Sequence, residues 1–190
     1  MMNRDTIVLL DLGGVALQPS ELIGKKINWK IINELNAKYE AGLQYTFLDL
    51  ISEHNTLTTK SLSEKEFVTE VFKTLQLNKE LIAIVSHYAD IIIVSDNYKE
   101  SVAYMLDRFN FEKWSIKQIY SYEYKMVKSN PDFFKKFLRE NPEYDAKDLI
   151  LIDDSETKLE SASTSGIKGI LYTNNDQTKT ALEELLTLKN

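Results

Sequence analysis

Apolar residues fall into two rhythms along the chain. In one, short runs show no alternation of polar and apolar positions: residues 6–11, 90–95, 116–120, 148–153 and 169–172. Such runs predict β-strands covered on both faces. In the other rhythm, apolar residues recur at helical spacing between the runs. Lys79–Tyr88 is one such stretch, and Asn97–Phe109, with Val102, Met105, Leu106 and Phe109, is another. Asn130-Pro131 opens a third, with proline in the first turn and Phe133, Phe134, Phe137 and Leu138 behind it. Thr157–Ser165 ends at Gly166, and Thr178–Leu188 closes the chain. Strands alternating with helices predict an α/β fold around a mainly parallel sheet with right-handed crossovers.

Residues 16–77 break this alternation. No convincing buried strand is visible there. Ile27, Ile31, Leu35 and Tyr39 recur at helical spacing, as do Phe47, Leu50 and Ile51, and then Phe67, Val71, Phe72 and Leu75. Ser20 and Glu21 could start a helix that Gly24 weakens, and Ser63 with Glu66 three residues on spells a capping box. The pattern divides the chain into an α/β core, residues 1–15 and 78–190, and a helical insertion, residues 16–77.

Composition narrows the classes that remain. A chain of 190 residues, 43% of them hydrophobic, holds one α/β core plus a modest insertion. A formal net charge of -6 argues against a general nucleic-acid binder, which carries a basic stripe. With no cysteine, disulfides, zinc–thiolate sites and cysteine nucleophiles are excluded. No run of about 18 apolar residues predicts a membrane span. The first residues show no secretory leader, since Asp11 interrupts their apolar run. A cytoplasmic protein, monomer or homodimer, is expected, with neither nucleic acid nor membrane as partner.

The chemistry collects at the ends of the strands. One ends at Asp11 before Gly13-Gly14, another at Ser95-Asp96-Asn97, another at Asp153-Asp154-Ser155. In a parallel sheet these tips share one edge, where ligands bind. Lys128 lies in a loop just before a helix. Carboxylates suit a hard cation such as Mg²⁺, while a hydroxyl, backbone N–H groups and an ammonium suit phosphate oxygens. A nearby cation also offsets the repulsion between a carboxylate nucleophile and a phosphate dianion.

Four stretches in order, Asp11-Leu-Gly-Gly-Val15, Ile93-Val-Ser-Asp-Asn97, Lys128-Ser-Asn-Pro131 and Ile152-Asp-Asp-Ser155, resemble the four motifs of the haloacid dehalogenase-like (HAD) hydrolases. The resemblance spans the chain, and Leu159–Ile167 resembles the helix and turn that follow the last motif. It implies a Rossmann-like core with an α-helical cap inserted where residues 16–77 fall. It also implies a Mg²⁺-dependent phosphatase acting on a small phosphorylated metabolite. Asp11 would be the nucleophile, forming an aspartyl-phosphate. Asp11, the Gly13 carbonyl and Asp154 would bind Mg²⁺, with Asp153 in support. Ser95, Asp96, Asn97 and Lys128 would hold the phosphoryl group.

Two positions depart from that pattern. Gly13 stands where phosphatases of the superfamily usually place an acid/base Asp, a group that contributes roughly 10²–10⁴-fold to rate. Its loss penalises leaving groups that need a proton and spares acyl or anomeric phosphates. Lys158 replaces a residue that is often Asn or Asp in sugar-phosphatase-like relatives, and an outward orientation into solvent is expected for it. These departures motivate an alternative, a catalytically weak binding or regulatory module. Metal-free 2-haloacid dehalogenation is a further alternative, opposed by the lack of any arginine between Arg4 and Arg108. His54 and His87 neighbour no ligand pattern and are expected to pack or face solvent, although a cap could carry His54 over the site as a substitute acid.

Overall fold

The computed structural model describes residues 6–20, 26–40 and 45–187, the side chains of 39 and 40 excepted. Strand β1 (Ile7–Leu10) lies at the centre of a five-stranded sheet with β4 (Asp90–Ser95), β5 (Lys117–Tyr120), β6 (Leu149–Asp153) and β7 (Lys168–Leu171). The order is β5-β4-β1-β6-β7 and every pairing is parallel. The core helices are α4 (Lys79–Tyr88), α5 (Lys99–Phe109), α6 (Ser121–Tyr124), α7 (Asp132–Glu140), α8 (Glu156–Ser163) and α9 (Asn175–Thr187).

The unbroken apolar runs have a direct cause. Along β1, Val8 and Leu10 point into one hydrophobic cluster, with Ile91, Ile93, Ile150 and Ile152 of the neighbouring strands. Ile7 and Leu9 point into another, with Ile92, Val94, Leu149 and Leu151. Successive residues of a strand face opposite sides of the sheet, so two covered faces demand apolar residues at every position. Phe133, Phe134 and Phe137 of α7 and Ala162 of α8 cover the second face. Leu81 and Val85 of α4, Val102 and Met105 of α5 and Leu182 of α9 cover the first. Leu106, expected on the apolar side of α5, is instead 39% exposed, one residue round from the buried Met105.

Two short, largely unburied strands stand in the stretch where no buried strand was expected. β2 (Leu17–Pro19) and β3 (Leu75–Leu77) pair antiparallel, Leu17 opposite Leu77 and Pro19 opposite Leu75. Each is three residues long, too short for an alternating pattern, and their partners lie far apart in sequence. The ribbon brings the two ends of the insertion together, and Asn78 N–H donates to the Ala16 carbonyl at 2.9 Å. Between its strands stand α1 (Trp29–Glu40), α2 (Phe47–Thr58) and α3 (Glu64–Lys73). Ile32 and Leu35 of α1, Phe47, Leu50 and Ile51 of α2 and Phe67, Val68 and Phe72 of α3 form their common buried face. Ile31 and Val71 are only partly buried at its margin. The capping box of Ser63 and Glu66 is formed, and α2 carries a second one from Thr46 and Asp49. A helix beginning at Ser20-Glu21, the Tyr39 side chain and Leu188 lie outside the described residues.

The last helix begins at Asn175 rather than Thr178. Asn174 accepts a hydrogen bond from Gln177 N–H at 2.9 Å, a cap that the apolar pattern does not reveal. No helix among the described residues is long and apolar enough to cross a membrane.

Candidate active site

Asp11 follows the last residue of the central strand, and its N–H still donates to Ile152 O at 3.0 Å, so the backbone of the sheet aims it. The chain then turns back tightly, with Leu17 N–H bonded to Leu12 O at 2.7 Å and Gly14 N–H to Leu17 O at 3.0 Å. The two glycines of this turn serve differently. Gly14 has φ +76°, and a Cβ there would run into the Asp154 carboxylate. Glycine is therefore required by both backbone and space. Gly13 has nothing within 4 Å of the place a Cβ would take, and its φ lies outside the left-handed region. A side chain would fit at position 13; this chain has none.

Strand register brings the other tips level. Leu10 is opposite Ile93 of β4 and Ile152 of β6, so Asp11, Ser95 and Asp153 emerge along one edge. Beneath that edge lies a buried ion cluster. Lys128 is fully buried, and its Nζ donates to Asp11 Oδ1 at 2.6 Å and to Asp153 Oδ2 at 2.5 Å. Asp153 uses its other oxygen to accept from Ser155 N–H at 3.0 Å, which holds the entry to α8. Carboxylate oxygens of Asp11, Asp153 and Asp154 lie within 4.8 Å of one another. An all-oxygen set of that spacing fits a hard divalent cation such as Mg²⁺.

Burial works against every charge in this cluster. Lys128 is held above its ordinary range even so, because Asp11 and Asp153 both face its ammonium. Asp11 faces that ammonium together with Asp153 and is itself driven toward neutrality, although Lys158 as well as Lys128 opposes the shift. Burial first, and then Asp153, push it up to about 7 against the opposing pull of Lys128. Asp154 is raised by desolvation and by Asp153.

The β4 tip is organised by hydrogen bonds. Asn97 Nδ2 donates to Ser95 Oγ at 2.8 Å, and Asn97 N–H donates to Ser121 Oγ at 3.1 Å. Asp96 accepts from the backbone N–H of Lys128 at 3.0 Å, which ties the lysine loop to the strand tip. Its second oxygen lies 3.3 Å from Nζ of Lys158, whose side chain is only 12% exposed. Lys158 thus turns inward, contrary to the outward orientation expected. The reason is the buried Asp96 carboxylate, which needs a counter-charge that the first turn of α8 can deliver.

Asp11, Gly13, Ser95, Asp96, Asn97, Asp154 and Lys158 line one end of a cavity of about 620 Å³. Lys128 and Asp153 are fully buried and are not among the residues that line the cavity. The opposite wall comes from α1, α2 and α3. His54 is not part of it. It is buried within the insertion, accepts from Asn28 N–H at 3.2 Å, packs edge-on against Phe67, and has a pKa lowered by burial and by Lys60. His87 is exposed on α4. Neither imidazole is placed to serve as a substitute acid. Sequence reasoning passed over Ser121, although a hydroxyl directly after a strand tip is a usable signal. It also passed over Asn33 and Asn36 of α1, whose polar character reads as a solvent-facing stripe until the cavity is seen.

The model of the NLI interacting factor-like phosphatase family matches residues 76–190, which include Ser95, Lys128 and Asp153-Asp154 but not Asp11. A sequence search of curated proteins found no match. Among solved structures, a HAD family enzyme from Bacteroides thetaiotaomicron, in complex with magnesium and inorganic phosphate, is similar over 88% of this chain and 94% of its own, with TM-score 0.66 and 23% identity. A protein from Porphyromonas gingivalis predicted to be a HAD-like hydrolase is similar over 95% and 97%, with TM-score 0.69 and 17% identity. The HAD-hydrolase YfnB from Bacillus subtilis, bound to magnesium, is similar over 97% and 98%, with TM-score 0.67 and 16% identity. These likenesses, over 88–97% of the chain, show the fold.

Proposed function

Because this chain belongs to the NLI interacting factor-like phosphatase family, we propose that it is a Mg²⁺-dependent phosphatase that works through an aspartyl-phosphate on Asp11. One observation carries the reading: three carboxylates and one buried ammonium converge at the tip of the central strand, with Lys128 Nζ 2.6 Å from Asp11. The magnesium in two of the similar structures supports the choice of cation.

Asp11, Asp154 and the Gly13 carbonyl, with Asp153 behind them, would hold the ion. When bound, Mg²⁺ supplies positive charge that keeps Asp11 ionised and draws the phosphoryl group toward it. Asp11 then attacks phosphorus, the bond to the leaving oxygen breaks, and water later cleaves the aspartyl-phosphate to release inorganic phosphate and the free carboxylate. Ser95 Oγ and the Asp96 backbone N–H face the phosphoryl oxygens, and Asn97, whose N–H is engaged by Ser121 Oγ, orients the Ser95 hydroxyl through its side-chain amide. Asp96 contributes through its backbone, since its carboxylate is engaged and would repel phosphate. Lys128 keeps the nucleophile aimed and balances its charge. Residues 16–77 serve as a cap that closes the cavity and excludes water and bulky substrates.

Phosphate release from a panel of small phosphorylated metabolites, with and without Mg²⁺, tests this reading. Release that depends on Mg²⁺ and vanishes in Asp11→Asn is the expected result. A chain that releases no phosphate from any of them and does not take up BeF₃⁻ with Mg²⁺ is not this enzyme.

A further inference from the structure

The cavity has two unlike ends. Every charged residue among its described lining (Asp11, Asp96, Asp154 and Lys158) stands at the sheet end. The cap end is built from Trp29, Ile32, Phe47, Phe67, Val71 and Phe72, with the amides of Asn33 and Asn36 as its polar groups. A polyhydroxylated or charged leaving group would lose its water against this wall with few partners in exchange. A flat apolar group would be stabilised there by burial and ring contacts.

The sheet end sets a second requirement. No described carboxyl or imidazole of the cavity is free to give a proton to the leaving oxygen. Asp11 and Asp154 belong to the nucleophile and the metal set. Asp96 accepts from Lys128 N–H with one oxygen and faces the Lys158 ammonium at 3.3 Å with the other. Gly13 contributes no side chain although there is room for one. Lys158 Nζ stands 3.3 Å from Asp96 as the counter-charge of that buried carboxylate. With no carboxyl group at position 13 to protonate it, a leaving group that departs as an anion is favoured. A phenolate, with a conjugate-acid pKa of about 10, can do so. An alkoxide, with a value near that of water, about 15.7, cannot do so readily.

Resting on the phosphatase reading above, we propose that the substrate is an aryl phosphate monoester: its ring lies against the aromatic cap wall and its phosphoryl group at Asp11. In the first step an Asp11 oxygen bonds to phosphorus. The bond from phosphorus to the aryl oxygen breaks, and its electron pair leaves with the phenolate, which takes a proton from solvent. In the second step water adds to phosphorus, the Asp11–phosphorus bond breaks, and the released proton passes to solvent.

The test compares kcat/KM for phenyl, phenethyl, glycerol and acetyl phosphate with Mg²⁺. The expected preference for phenyl over phenethyl phosphate is at least about 10²-fold, and Gly13→Asp narrows that ratio by roughly 10²–10⁴-fold by restoring an acid. Trp29→Ala, an independent probe of the wall, raises the ratio of KM for phenyl to KM for acetyl phosphate roughly tenfold. A phenyl-to-phenethyl ratio near one, a ratio that Gly13→Asp leaves unmoved, or a preference for glycerol phosphate overturns the proposal. Turnover of acetyl phosphate without any of phenyl phosphate overturns it while the phosphatase reading stands. No release from any ester, with no Mg²⁺-dependent BeF₃⁻ uptake, overturns both.

Discussion

The edge of the sheet and the inserted helices face each other across one cavity, yet they are built in opposite ways. At the edge, Asp11, Lys128 and Asp153 come from three distant parts of the chain and are locked by buried ion pairs of 2.5–2.6 Å. Removing one member leaves a charge in the interior without a partner. The inserted helices are held by local devices, capping boxes at Thr46 and Ser63, and by one shared apolar face. Their longer-range ion pair, Lys38 with Glu53, lies toward solvent rather than in the interior, where such pairs are individually weak. A rigid charge cluster facing a locally stabilised wall separates two tasks. Under the proposed function, the chemistry sits where geometry is over-determined, and the facing wall can be changed without disturbing it.

The sharpest way to break this contrast is at Asp11, the proposed nucleophile. Asp11→Asn keeps the shape of the site but removes the attacking charge, so Mg²⁺-dependent turnover should fall by at least about 10⁴-fold in steady-state assays. Lys128→Met probes the same cluster through stability. It strands two carboxylates, and urea denaturation should show a loss of about 3–5 kcal/mol at neutral pH. A loss below about 1 kcal/mol would show that the cluster is not the over-determined element described here.

Proton linkage comes next in size. With its pKa raised to about 7 in the metal-free protein, Asp11 holds a proton that the unfolded chain, at 3.8, has already released. Its contribution to stability is present in full below 3.8 and is lost as pH rises through about 7. Mg²⁺ must displace that proton, so its affinity should weaken about tenfold between about pH 8 and about pH 6. Calorimetry in buffers of different ionisation enthalpy should register close to one proton released at the lower pH. A pH-independent affinity with no proton release would place Asp11 in the charged state throughout.

The smallest effect belongs to the inserted helices. Ser63→Ala removes one side of a capping box and should cost about 1 kcal/mol. Hydrogen exchange should localise the loss to Glu64–Lys73 and leave the sheet protected. If exchange quickened in β1 as well, the two regions would be one cooperative unit and the contrast would fail.

Most of this architecture was legible along the chain. Runs such as Ile91–Val94 could be read as doubly covered strands because two hydrophobic faces leave no position for a polar residue. The tips Asp11, Ser95 and Asp153-Asp154 stood out because polar residues end apolar runs there. The β2–β3 ribbon was not legible, since three-residue strands carry no periodicity and pair only through folding. The inward turn of Lys158 was not legible either, because its cause, the Asp96 carboxylate, lies far away in the sequence.

By itself, then, the sequence determined the alternation of strand and helix, the parallel sheet that follows from it, and the edge at which the acids gather. These are consequences of local periodicity and chain connectivity, which a linear pattern records. Only the tertiary structure decided which cation each carboxylate shares, that the Gly13 position stands open while Gly14 is sterically required, and that aromatic rings of the inserted helices line the same cavity as Asp11. Those facts depend on distances between residues remote in sequence, and the energies that enforce them, desolvation and close packing, arise only once the chain has folded.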